Sequence, residues 1–214
     1  MPPAKTQPKK RTRDATASKT RILEVASLEF SKHGYNGARV EAIAQNSQSN
    51  INLVYHYFGS KEKLFTAVME HCYASIRARH NDLVLRAFPP EEAMRGLITS
   101  TFRMFIESPE LIGLFNAENV MEAKHIKNSS VIGELYKPLI SFIDEALKRG
   151  AEEGVFRHGI DPVELFITIN AEGYFYLSNR YTLSSIIHQP LMKKERLKQR
   201  EEFIVDVIMR FLRP

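Results

Sequence analysis

The chain has 214 residues, 43% hydrophobic and 26% charged, with a formal net charge of +5. That length can bury a sizeable core in one or two domains, and the composition is that of an ordinary soluble protein. No apolar run approaches the ~18 residues of a membrane helix, and the basic N-terminus has no apolar stretch behind it, so it does not read as a secretory signal. Cys72 is the single cysteine, which excludes an intrachain disulfide and a cysteine-based metal site and fits a reducing, cytoplasmic compartment.

Taken in order, the charge comes first. Residues 1–21 hold seven Lys or Arg against one Asp, a net of +6, which leaves −1 for the rest of the chain. With Pro2, Pro3 and Pro8 and no periodic apolar residue, residues 1–16 read as a disordered basic arm. Alone, such a tail solubilises. Beside a DNA-binding element it releases counterions and makes affinity steeply salt-dependent. Over residues 16–33, Ile22, Val25, Ala26 and Phe30 share one helical face, and Gly34 is the expected stop.

Residues 40–64, VEAIAQNSQSNINLVYHYFGSKEKL, read as two short helices, a tight turn between them, and the start of a third. Val40, Ile43 and Ala44 recur at spacings of three and four and so share a face. Residues 45–50 contain no large apolar residue, and their Asn, Ser and Gln side chains favour turns and caps. Asn50 is a competent N-cap, and Val54 and Phe58 would face the core, leaving Asn52, Tyr55 and His56 on other faces as base-reading candidates. Gly59 can take the positive φ that ends a helix. Ser60 would cap the next one, with Lys61 in its first turn beside exposed amides that suit phosphate.

The pattern IA-x(10)-YHYFGSKEKLF, preceded by Gly34-Tyr35 and by a helix ending LEFSKHG, resembles the DNA-binding domain of the tetracycline-repressor (TetR) family of bacterial transcription regulators. A bare helix-turn-helix is a weak signal, whereas YHYF followed directly by GSKEKL at this distance from IA is much more specific. Two departures stand out. Where the family usually has Ala-Gly-Val-Ser in the turn, this chain has Ser47-Gln48-Ser49-Asn50, so the apolar anchor is absent or has moved to Ile51, which would then pack inward rather than touch DNA. Arg39 stands where the family usually has a capping Ser or Thr; it caps poorly, though its guanidinium suits a phosphate. The expected DNA surface is Arg39, Asn50, Asn52, Leu53, Tyr55, His56, Tyr57 and Lys61. Within it Asn52 suits adenine, Leu53 a thymine methyl, and Tyr55, Tyr57, Arg39 and Lys61 suit phosphates.

Beyond this domain, assigned residues 17–64, the chain reads helical to its end. Over residues 61–80, Leu64, Val68, Cys72 and Ile76 form one stripe. Cys72 beside His71 reads as core rather than as a metal pair, since adjacent helix positions diverge. A helix restarts after Pro89-Pro90, carries Met94, Leu97, Ile98, Thr101, Phe102, Phe105 and Ile106, and breaks at Ser108-Pro109. A short helix over 110–121, a polar link KHIKNSS, and a striped helix from Val131 to Gly150 or Gly154 follow, with a kink or boundary expected at Pro138. Asp161-Pro162-Val163-Glu164 is a helix start, the next 23 residues read as one mostly apolar helix, and a last helix carries Phe203 to Leu212 after the charged run KKERLKQREE.

The two apolar C-terminal helices either complete a monomer core or pair with their copy as a four-helix interface; the resemblance favours a homodimer through the last two helices. It also implies a small-molecule effector in residues 65–214. Phe102, Phe105, Phe115, Tyr136, Tyr174 and Tyr176 would supply apolar walls and Arg103, Asn116, Asn170 and Asn179 polar groups, although an aromatic stripe serves equally as plain core. Catalytic motifs are missing: no Gly-rich phosphate loop, GxSxG or HExxH, and the histidines are scattered. The sequence therefore reads as an all-α, cytoplasmic, non-enzymatic regulator, taken as a repressor, although nothing in the residues separates repressor from activator. It would bind a palindromic duplex operator and need no cofactor, metal or membrane. The alternative is an architectural, nucleoid-type DNA binder with little sequence preference and no ligand.

Overall fold

The structure, a computed structural model, describes the backbone of residues 9–79 and 82–214 and the side chains of residues 15–79 and 84–214. All regular structure among the described residues is helical: α1 (Lys9–Gly37), α2 (Val40–Asn46), α3 (Ile51–Phe58), α4 (Lys61–Arg79), α5 (Asp82–Leu85), α6 (Pro90–Glu107), α7 (Glu110–Val120), a 3₁₀ turn (Ile126–Asn128), α8 (Ser130–Glu152), α9 (Pro162–Ser178), α10 (Arg180–Ile186) and α11 (Lys194–Leu212).

The boundaries follow local chemistry. At Gly34 (φ 67°, ψ 176°) helical geometry breaks inside α1, where only glycine adopts that conformation at little cost. Pro90 opens α6 behind Pro89, with Glu91 and Glu92 in its first turn. Asp161 caps α9 by accepting the N–H groups of Val163 at 2.7 Å and Glu164 at 3.4 Å.

Four expectations are corrected. The first helix begins at Lys9 rather than near residue 16, so residues 9–16 of the expected disordered arm are helical; Lys and Arg are good helix formers once a turn is nucleated. Residues 1–8 of that arm lie outside the described residues. Of the kink or boundary expected at Pro138, the boundary does not form, and α8 runs through it. Pro138 is exposed while Leu139, Phe142 and Ile143 beside it are buried, so packing on one face holds the helix against a hydrogen bond lost on the other. The single apolar helix expected after Asp161 divides at Asn179, whose amide turns back to the Phe175 carbonyl at 2.9 Å. Finally, the charged run before Phe203 is itself helical from Lys194; Lys, Arg and Glu are good helix formers, and near its C-terminal end Arg200 pairs with Glu172 of α9 and Glu201 with Arg103 of α6.

The chain divides into two compact units. The first comprises the residues up to Cys72 together with 113–129, and the second comprises 73–112 and 130–214. Phe30, Ile43, Val54 and Phe65 centre the first core. Most of α7 belongs there too, lying so close to α1 that a Cβ on Gly113 would stand 2.3 Å from the Ser31 carbonyl oxygen. In the second unit α6 is the middle helix, with Met94, Leu97, Ile98 and Phe102 buried. Gly173 of α9 faces it: a Cβ there would meet the rings of Phe105 at 3.2 Å and Phe102 at 3.4 Å. The small residue thus serves close packing inside the unit rather than approach of a second copy.

Candidate nucleic-acid interface

The turn between α2 and α3 solves by other means what Ala-Gly-Val would supply. Ser47 is 0% exposed and satisfies its hydroxyl by donating to the Ala44 carbonyl at 3.2 Å, while its own carbonyl accepts from Arg21 Nε at 2.8 Å. Gln48 takes the left-handed conformation (φ 51°) that a glycine would adopt freely. Ile51 is half-buried. At the start of α2, Arg39 makes no side-chain cap; instead its N–H donates to Glu29 Oε1 of α1 at 3.1 Å.

Asn50 caps α3, accepting the Asn52 N–H at 2.8 Å, so the helix starts where the sequence placed it. Val54 and Phe58 are buried, as their spacing requires. Asn52, Tyr55 and His56 are exposed, Tyr55 at 42%, and Leu53 and Tyr57 are half-buried. A short helix that shows an amide, a phenol and an imidazole to solvent, with its apolar residues turned inward, presents hydrogen-bonding groups of the kind that read base edges in the major groove.

Gly59 ends α3 at φ 78°, and Ser60 Oγ accepts the Lys63 N–H at 3.1 Å, capping α4. Lys61 in that first turn donates to the Asn36 carbonyl at 3.2 Å and sits 5.2 Å above the Tyr35 ring. Burial first, and then the Glu62 carboxylate, push the Tyr35 phenol above its ordinary pKa, while Lys124 pulls the other way. Sequence reasoning missed Lys19, whose ammonium lies 5.6 Å over the Phe58 ring beside α3, and Glu29, Glu118 and His125 behind the interface. No periodicity or spacing flags them.

The effector candidates scatter. Phe102 and Phe105 are buried against α9. Tyr136 is half-buried, edge-to-face with Tyr73 at 5.5 Å and Phe166 at 5.7 Å. One turn on, Asn170 donates to the Phe166 carbonyl, and Tyr174, its pKa raised by burial, meets Phe105 at 6.1 Å. These five fall in the second unit. Arg103 is exposed and bidentate to Glu201 at 2.7 and 2.8 Å. Asn179 sits at the junction of α9 and α10, and Tyr176 donates to the Leu191 carbonyl at 2.9 Å. Phe115 and Asn116 belong to the first unit.

An all-helical chain with a capped recognition-type helix behind a tight turn defines a helix-turn-helix regulator. Residues 22–68 match the family of bacterial regulatory proteins, tetR family, and residues 90–208 match the tetracyclin repressor-like, C-terminal domain. The chain is 34% identical over 203 residues, 95% of its length and 96% of the relative's, to the HTH-type transcriptional repressor NicS of Pseudomonas putida. It belongs to the TetR family of bacterial transcriptional regulators. The putative transcriptional regulator SCO4942 from Streptomyces coelicolor shares the fold at TM-score 0.67 and 21% identity, covering 92% of this chain and 99% of that one. FadR from Bacillus subtilis, in complex with stearoyl-CoA, shares it at TM-score 0.64 and 16% identity, covering 90% and 98%. Family and relatives are regulators, not enzymes. Among the described residues no helix is long and apolar enough to cross a membrane.

Proposed function

We propose that the protein is a cytoplasmic, homodimeric repressor that reads a palindromic operator with α3 and is released or modulated by a small molecule. The helix-turn-helix domain, residues 17–64, reads DNA, and the helices that follow, residues 65–214, bind the effector and dimerise. The observation that carries the reading is the outward face of α3, where Asn52, Tyr55 and His56 are exposed while Val54 and Phe58 are buried. In this reading Asn52 contacts adenine, Leu53 a thymine methyl, and Arg39, Tyr55, Tyr57 and Lys61 the backbone, with Asn50 and His56 completing the recognition surface. Dimerisation is supported by Val163, Ile167 and Phe175 on α9 and Phe203, Val207 and Phe211 on α11, all 40–59% exposed although large and apolar. Effector binding is supported by the half-buried run Tyr136, Asn170 and Tyr174 beside Phe105, and by a protein of this fold that carries an acyl-CoA.

Selection of bound duplexes from a random pool at near-physiological salt tests the reading. A palindromic consensus with half-sites about one or one and a half helical turns apart is expected. Enrichment of no sequence, with binding that collapses as salt rises, would replace it with the architectural alternative.

A further inference from the structure

Behind Lys61 lies a buried carboxyl–imidazole pair that the local motif does not contain. Glu118 and His125 are 2% and 1% exposed, and their side chains meet at 2.7 Å through Glu118 Oε2 and His125 Nδ1. The other carboxylate oxygen accepts the backbone N–H groups of His125 and Ile126, both at 2.8 Å. His125 Nε2 has no hydrogen-bond partner. Between the two residues the chain passes through Glu122 and Ala123, both left-handed at φ 54° and 59°, a conformation that disfavours side chains with a Cβ. Buried carboxylates and consecutive strained residues persist where the surroundings over-determine them, and such sites cluster where position matters to function.

What this turn positions is an aromatic stack. The imidazole packs on Tyr35 at 4.9 Å and on Phe65 at 4.7 Å, and these two rings meet edge-to-face at 5.3 Å. The Lys61 ammonium lies over Tyr35. One residue along on each side, Lys124 and Glu62 pair at 2.8 Å, which pins the turn to the first turn of α4. All of these residues lie in the first unit.

We propose that Glu118 and His125 are positioning residues for the DNA-backbone contact of Lys61, holding the Tyr35 ring on which its ammonium rests. The inference rests on the reading of Lys61 as a phosphate contact. It assigns part of the DNA-reading machinery to a turn some sixty residues downstream of the recognition helix, outside residues 17–64.

The test is the salt dependence of binding to a random-sequence duplex by the full-length protein. Lys61→Ala is expected to lower the slope of log affinity against log salt by about 0.9, the share of one phosphate. His125→Ala should produce the same fall, and Glu118→Gln, which keeps shape and an acceptor for the backbone amides, part of it. The double variant Lys61→Ala/His125→Ala should bind no more weakly than Lys61→Ala alone, since both remove one contact. Thermal melting separates loss of fold from loss of contact, and Glu118→Gln decides if His125→Ala does not fold. Folded variants that lose affinity at unchanged slope, or whose losses add to that of Lys61→Ala, would overturn the inference while leaving Lys61 its role. A slope unmoved by Lys61→Ala would remove the phosphate reading and the inference with it.

Discussion

The two units are held together differently. The first is a small aromatic core, Phe30, Tyr35 and Phe65 with His125, edged by turns in which individual hydrogen bonds and left-handed residues such as Gln48 and Gly59 decide the path. The second is helix on helix, with α6 sheathed by α8, α9 and α11 around residues such as Phe102 and Phe142, and an apolar strip left exposed on α9 and α11. Where a surface is built from neighbouring residues of one chain segment, each position has a definite job. Where it is built from half-buried side chains on distant helices, single positions are interchangeable until the packing is known.

Four measurements break or sharpen that contrast. Phe30→Ala removes a fully buried ring from the first core and should destabilise it by about 3–5 kcal/mol, melting it ahead of the second unit so that calorimetry shows two transitions; Phe142→Ala should instead melt the second unit first. A single transition lowered equally by both would mean one cooperative body, and the contrast would fail.

Next in size, Val207→Asp sets a carboxylate in the exposed strip. If that strip is the dimer face, association should weaken roughly a hundredfold, about 2.7 kcal/mol, visible as monomer in sedimentation at micromolar protein. An unchanged dimer would move the interface elsewhere.

Gln48→Gly relieves a left-handed side chain that costs about 1–2 kcal/mol, less the ~0.5–1 kcal/mol of added chain entropy in the unfolded state. A small rise in melting temperature is expected, and a fall would show that the Gln48 side chain supports the turn.

The smallest effect is pH-dependent. The hydrogen bond and charge of Lys124 hold the Glu62 carboxyl below its ordinary pKa, so the folded state binds fewer protons than the unfolded one, and the pair's contribution is present above the ordinary carboxyl range of about 4.3. It is lost as pH falls through the depressed value. Lys124→Gln should therefore lower melting slightly at neutral pH and match the parent protein once Glu62 is protonated; a difference that persists in acid would assign Lys124 another role.

Residues 40–64 were legible almost position by position. The spacing of Val54 and Phe58, the cap at Asn50, the stop at Gly59 and the cap at Ser60 all act over four residues or fewer, and the structure keeps each of them. The departures at Ser47 and Gln48 were legible only as departures; burial of Ser47 on its own hydrogen bond to Ala44, and a left-handed Gln48, are what absorb them. The effector candidates were chosen by residue type on predicted helices. Packing then set Tyr174 against Phe105, put Tyr136 and Asn170 each on Phe166, gave Arg103 to Glu201, and set Phe115 and Asn116 in the other unit.

By itself, then, the sequence determined the helical class and, within residues 40–64, the helices, the caps at Asn50 and Ser60 and the stop at Gly59, because periodicity and capping are short-range and written in adjacent residues. Only the tertiary structure decided that residues 113–129 return to the DNA-reading unit, that Glu29 takes the N–H of Arg39 at the start of α2, and that Glu118 and His125 lie beneath Tyr35. Those are contacts between residues far apart in the chain, selected by close packing and by the need of buried polar groups for partners, and no local pattern encodes them.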